Sequence, residues 1–154
     1  MTKGKMMRTM IMAVLVSGLW IASVNGEEKK PLVAVTDAAK LPVQECPWGT
    51  LQWICNEKLA PGAQQTVGLA TTFPGHSNPL HFHPNCEEIL YVISGCGRHT
   101  SEGQTIDLKP GMTICIPAGV KHKLANTGTE PLKTLVTFSS GERKTVFLET
   151  NPSK

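Results

Sequence analysis

A chain of 154 residues, 40% hydrophobic and 18% charged, is one domain's worth of sequence with a modest core. Its 15 Lys and Arg outnumber its 12 Asp and Glu by three, and Lys3, Lys5 and Arg8 supply that whole excess, so the chain from Glu27 onward is balanced. No basic stripe and no run of like charge remains, which argues against nucleic acid or anionic membrane and leaves a small molecule as the expected partner.

The first 26 residues differ from the rest. A basic start is followed by a mostly apolar stretch from Met10 to Ala22, then by Val24 and Gly26 at the −3 and −1 positions of a cleavage site. That layout predicts a secretory signal peptide over 1–26 and an exported protein, periplasmic or extracellular. About 13 apolar residues fall short of the roughly 20 that span a bilayer, so no membrane association is expected once the leader is removed. No Cys stands at the expected cut, which speaks against a lipoprotein.

Residues 27–46 read as an N-terminal arm or tether: charged, then containing Ala and Pro, with no strong period. The five cysteines are an odd number for an export, so at least one is unpaired or pairs with another chain. Cys46 and Cys55 flank "PWGTLQWI" and are positioned to close a short disulfide loop, the alternative being that they are small buried hydrophobes.

From 47 to 150 the pattern is short apolar runs punctuated by Gly and Pro. Strands are expected at 50–55, 65–73, 79–83, 87–94, 97–100, 104–108, 112–116, 121–126, 132–139 and 144–149. Many short strands at this spacing predict an all-β sandwich or barrel, with no convincing helical period anywhere after the leader. In "EEILYVIS", Ile89, Tyr91 and Ile93 form a second apolar face, which suggests a partner subunit and hence a homodimer.

The stretch "HFHPNCEE", residues 81–88, carries the chemistry. Side chains alternate faces along a strand, so His81 and His83 point one way and Phe82 the other. Glu87 and Glu88 occupy opposite faces after the Pro84-Asn85 turn, so only one joins the histidines. His122 opens a later strand after a Pro-Ala-Gly turn and is the candidate for completing the set. Cys86 reads as a surface or packing residue, Cys96 and Cys115 as packed strand residues, and His99 as exposed. Trp48 and Trp53 read as lid or interface packing, and Tyr91 has the wrong parity to face Glu88.

Two longer spacings enclose these residues. One runs Gly75, His81, His83, Glu88, Gly95; the other runs Gly111, Pro117, Gly119, His122, Asn126. Together they resemble the two signature motifs of the cupin superfamily, in order and with every fixed position filled. The resemblance implies a single small cupin-type β-barrel, a double-stranded β-helix or jelly roll. It also implies a three-His-one-Glu metal site made of His81, His83, Glu88 and His122; the count forward to Gly95 selects Glu88 over Glu87. Gly95 and Gly111 are expected in tight turns, Gly119 where backbone approaches closely, and Asn126 as support for the barrel wall.

Three imidazoles and a carboxylate, with no thiolate, suit Mn or Fe better than a closed structural zinc site, while Ni, Co and Zn are also accepted by such donors. Relatives with this ligand set include dioxygenases, oxalate-degrading germin-like enzymes, lyases and isomerases. The expectation is therefore a metal-dependent enzyme for a small oxygen-rich acid, possibly sugar-derived, working by dioxygenation or by metal-assisted elimination or isomerisation. The alternative is a binding module that captures such a metabolite without turnover. Candidates for a general acid or base beside the metal are His76, Arg98 and Gln65.

Overall fold

The structure, a computed structural model, describes residues 33–149. The expected signal peptide lies outside the described residues. Eleven strands follow a short 3₁₀ turn at Ala38–Lys40. They are β1 (Gln44–Cys46), β2 (Gly49–Cys55), β3 (Thr66–Thr72), β4 (His81–Phe82), β5 (Glu88–Ser94) and β6 (Gly97–Ser101). Then come β7 (Gln104–Leu108), β8 (Thr113–Ile116), β9 (His122–Asn126), β10 (Leu132–Phe138) and β11 (Val146–Phe147). Each strand expected from the sequence is present, though those at 79–83 and 144–149 shrink to two residues apiece.

The strands form a six-stranded sheet, β1-β2-β3-β10-β5-β8, and a five-stranded sheet, β11-β4-β9-β6-β7. Every pairing is antiparallel. This all-β arrangement fits a jelly roll. Strand parity sorts the side chains: in β5, Glu88, Leu90 and Val92 are buried, while Ile89, Tyr91 and Ile93 are exposed. Along β10, Leu132, Thr134, Val136 and Phe138 all turn inward. With Leu108 of β7, Leu124 of β9 and Cys86 they make the core, against which Trp53, Met112 and Ile114 pack. Leu132 is fully buried, so truncating it to Ala would cost about 2–5 kcal/mol.

Of the expected arm at 27–46, the described residues 33–46 are tied to the barrel. Its last residues form β1, which pairs with β2 from Gln44↔Leu51 to Cys46↔Gly49. Further back, the Gln52 side-chain amide donates to Ala38 O and Leu41 O, and the Thr36 hydroxyl donates to Ile54 O. The segment is thus tied to the sheet by backbone acceptors that no sequence period reveals.

That pairing also removes the expected Cys46–Cys55 bridge. Cys46 sits beside Gly49, and Cys55 lies at the far end of β2. At about 3.3 Å per residue the two are on the order of 20 Å apart, whereas disulfide Cα atoms lie about 4.4–6.8 Å apart. Both thiols are free. Cys96 and Cys115, expected to be packed, are exposed, while Cys86 joins the core.

Two motif glycines differ in what they do. Gly95 has φ +81°, and a Cβ there would lie 2.7 Å from Pro131 O, so the turn needs both left-handed backbone and an absent side chain. Gly119 also has positive φ, +82°, but a Cβ would meet nothing within 4 Å. Its requirement is conformational, a correction to the expected steric one. The conformation delivers the Gly119 N–H to His83 O at 2.8 Å.

Candidate metal centre

His81 lies in β4, His83 just beyond it, and His122 opens β9, where it pairs directly with His81. Glu88 opens β5 in the other sheet. The cluster therefore bridges the two sheets, and one donor atom from each of the four residues lies within 4.8 Å of all the others. All four are buried, at 3–8% exposure. Glu87 faces outward, so the carboxylate that joins the histidines is Glu88, in keeping with the motif spacing.

Hydrogen bonds fix how each ring is used. His81 Nδ1 lies 2.8 Å from Pro79 O, His83 Nδ1 2.8 Å from Lys144 O, and His122 Nδ1 2.9 Å from Val120 O. A carbonyl oxygen only accepts, so each Nδ1 carries the proton and donates it. In neutral rings all three Nε2 atoms then present lone pairs. His83 Nε2 and His122 Nε2 each stand 3.1 Å from Glu88 Oε2, an acceptor facing an acceptor. Only a cation between them reconciles that geometry, either a shared proton or a metal ion. Donors about 2.1 Å from one ion stand about 3 to 4 Å from one another, so the observed separations suit a metal. Backbone carbonyls that fix ring orientation are the usual support for metal-binding histidines.

The electrostatics agree. Burial alone would raise the Glu88 carboxyl, but hydrogen bonds with His122 and His83 outweigh it and hold the group at about 2. Burial would lower His122, and the bond to Glu88 reverses that, so the ring is shifted upward. His81 is pushed down to about 4, chiefly by burial and then by the His122 charge. An ionised Glu88 and a neutral His81 are protonation states that a divalent ion needs, and an ion binding here would displace the proton that His122 favours against Glu88.

Three of the four, His81, His83 and Glu88, line a cavity of about 540 Å³. Leu90, Leu124, Val136 and Phe138 give the cavity an apolar lining, and Trp48, Trp53 and Phe147 also border it. Phe147 is 5.8 Å from the His81 ring, centroid to centroid. Both tryptophans border this cavity.

The three candidates for acid–base work are not brought to this cavity. Arg98 is exposed and paired with Asp107 at 2.7 Å, Gln65 is exposed just before β3, and His76 turns back on Pro74 O at 3.0 Å. Besides the cluster, the charged residues that do line it are Glu45 of β1 and Arg143 and Glu149 of the segment after β10, none of which carried a sequence signal. His99, expected to be exposed, is buried and stacks on His122 at 5.7 Å. Asn126 supports the wall as expected: its amide donates to Thr72 O and Glu130 O, both at 2.8 Å.

Known proteins corroborate this architecture. Residues 68–138 match the family model described as Cupin domain. An uncharacterized protein of Methanocaldococcus jannaschii is 38% identical over 74 residues, covering 48% of this chain and 59% of that one. A germin-like protein of Arabidopsis thaliana is 29% identical over 151 residues, covering 88% and 67%. Among solved structures, Bacillus subtilis oxalate decarboxylase, studied for its Mn(II) centers, superposes with a TM-score of 0.67 at 27% identity. That match covers 72% of this chain and 31% of the decarboxylase. The chain thus spans less than two thirds of the archaeal protein and about a third of the decarboxylase. Motifs, sheets and buried cluster agree on one reading: residues 68–138 match the Cupin domain model, and the four-residue cluster fits a cupin with a metal site.

Proposed function

We propose that the chain is an exported metal-dependent enzyme for a small oxygen-rich acid that ligates the metal. The acid is a carboxylate or a hydroxy or keto acid, of the kind that sugar breakdown yields. One observation carries this reading: three imidazoles with their Nδ1 protons committed to backbone carbonyls turn bare Nε2 atoms and Glu88 toward one point on the wall of a cavity. His81, His83, Glu88 and His122 would hold the ion, with Mn or Fe the preferred metals.

Four protein donors leave positions open in octahedral coordination, and the bound ion would supply Lewis-acid or redox chemistry there. The chain's own residues supply the rest. Pro79, Val120 and Lys144 carbonyls keep the rings aimed, Glu88 stays ionised, and the apolar wall of Leu90, Leu124 and Val136 excludes water. A cavity of about 540 Å³ on the cluster argues against an ion that merely braces the barrel, which would be sealed from solvent. Dioxygenation and metal-assisted elimination or isomerisation are both compatible with this surround.

A second reading, capture of such an acid without turnover, is favoured by one observation. His76, Arg98 and Gln65, the acid–base candidates, all lie off the cavity. Elemental analysis of the purified protein, followed by oxygen-uptake and product assays over small acids, separates the two. Turnover that disappears in His122→Ala supports the enzyme; tight binding with no product supports the module. Protein that takes up no divalent ion overturns both.

A further inference from the structure

Arg143 is the one Lys or Arg among the residues lining the cavity. Its guanidinium is laid over two rings, with Cζ 4.4 Å from the Trp53 centroid and 4.9 Å from that of Phe138. Stacking of this kind covers the faces of the group and leaves its in-plane N–H donors available. Among the described residues only one of those donors is used, Nη1 donating to the Thr145 hydroxyl. None of the ion pairs among the described residues includes Arg143. Glu57, which with Arg143 lines a smaller neighbouring hollow, spends its carboxylate on the Gly62 N–H at 2.8 and 2.9 Å. A half-buried positive charge with no direct ion-pair partner is costly, and burial shifts this guanidinium downward despite the more distant pull of Glu88 and Cys86.

The position is also rigidly built. The loop carrying Arg143 is bolted to the turn carrying the metal cluster. Asn85 donates to Glu142 O at 2.9 Å and accepts from Lys144 N at 2.9 Å. Glu87 and Ser139 exchange bonds at 3.0 and 3.1 Å. Lys144 O itself takes the His83 Nδ1 proton, with the Thr145 hydroxyl 3.3 Å from the same nitrogen. Phe138 lies 4.8 Å from the His83 ring and 4.9 Å from Arg143 Cζ, so cation and cluster are near neighbours across one aromatic edge.

We propose that Arg143 is a specificity-determining residue. It receives a second carboxylate of the ligand, so the site selects short-chain dicarboxylates, with one end at the metal and the other on the guanidinium fork. This rests on the reading of the cavity as a site for a metal-ligating acid. It adds a second anchor that gives the guanidinium a direct ion-pair partner. An Arg–carboxylate pair is commonly bidentate and stronger than a neutral hydrogen bond, and a preorganised donor loses little entropy on binding.

The test is calorimetric titration of the metal-loaded full chain with dicarboxylates from malonate to glutarate and with their half-amides, which remove one charge at constant shape. The expected result is a preference for the diacid over its half-amide of about 10- to 100-fold. Arg143→Gln should abolish that preference with metal content unchanged. Arg143→Lys, which keeps the charge and loses the fork, should retain part of it. Equal affinity of wild-type protein for diacid and half-amide overturns the assignment, and needs no variant to fold. A preference that survives in metal-replete Arg143→Gln overturns it too, while leaving the metal–acid reading intact. Failure of any acid to bind the metal-loaded wild type defeats that parent reading as well.

Discussion

His122 and His99 are two versions of the same buried ring. They stack at 5.7 Å with 25° between their planes and are 3% and 4% exposed. Their chemistry nonetheless diverges. His122 gives Nδ1–H to Val120 O, sets Nε2 against Glu88, and is shifted upward because that bond overcomes burial. His99 has a buried Nε2 with no partner and is pushed down to about 4 by burial and then by the His122 charge. Depth does not decide whether a histidine is a ligand or a spacer; the groups at its two nitrogens do.

The contrast can be broken most forcefully from the carboxylate side. Glu88→Gln should lower metal affinity by more than about 100-fold, read by elemental analysis after dialysis, because a neutral amide replaces an ionised donor. In the metal-free variant the His122 titration should move down toward that of His99, which proton NMR reads. His99→Leu should leave metal content unchanged. It should also stabilise the fold by about 1 kcal/mol in urea unfolding, since it removes an unpaired polar atom.

The pH dependence sharpens the difference further. His99 titrates at about 4 when folded, below the ordinary value of 6.5, so the folded state binds fewer protons than the unfolded chain between those values. Its effect on stability therefore worsens as pH falls from 6.5 to 4 and is absent above 6.5. His122, shifted the other way, contributes stability below 6.5 that is lost as pH rises through its folded value. Wild-type unfolding followed across this window should lose stability faster on acidification than His99→Leu. The smallest effect is expected at Glu87. Glu87→Gln, one residue from the ligand but outward-facing, should change stability by less than about 0.5 kcal/mol and leave metal binding alone.

Much of this was legible because it is local. Parity along "HFH" puts two rings on one face, and Gly and Pro cut the strands near their true ends. Choosing Glu88 over Glu87 needed the resemblance to the cupin motif as well, whose spacing to Gly95 fits only Glu88. What stayed hidden depends on pairing across the sheets. Cys46 and Cys55 look close along the chain, and β1–β2 pairing sets them at opposite ends of a strand. "GRHTS" reads as a polar edge until β9 covers His99 on one side and β7 on the other. Arg143 sits in a charged turn that looks solvated; its burial comes from Trp53, 90 residues earlier, and from Phe138.

Because Glu88 belongs to one sheet and the imidazoles to the other, a bound ion acts as a rivet through the sandwich. Its affinity then adds to folding free energy by mass action, and each tenfold rise in free metal above saturation is worth about 1.4 kcal/mol. Thermal resistance should track the metal concentration of the surroundings. A chelator would loosen the whole molecule rather than one corner of it.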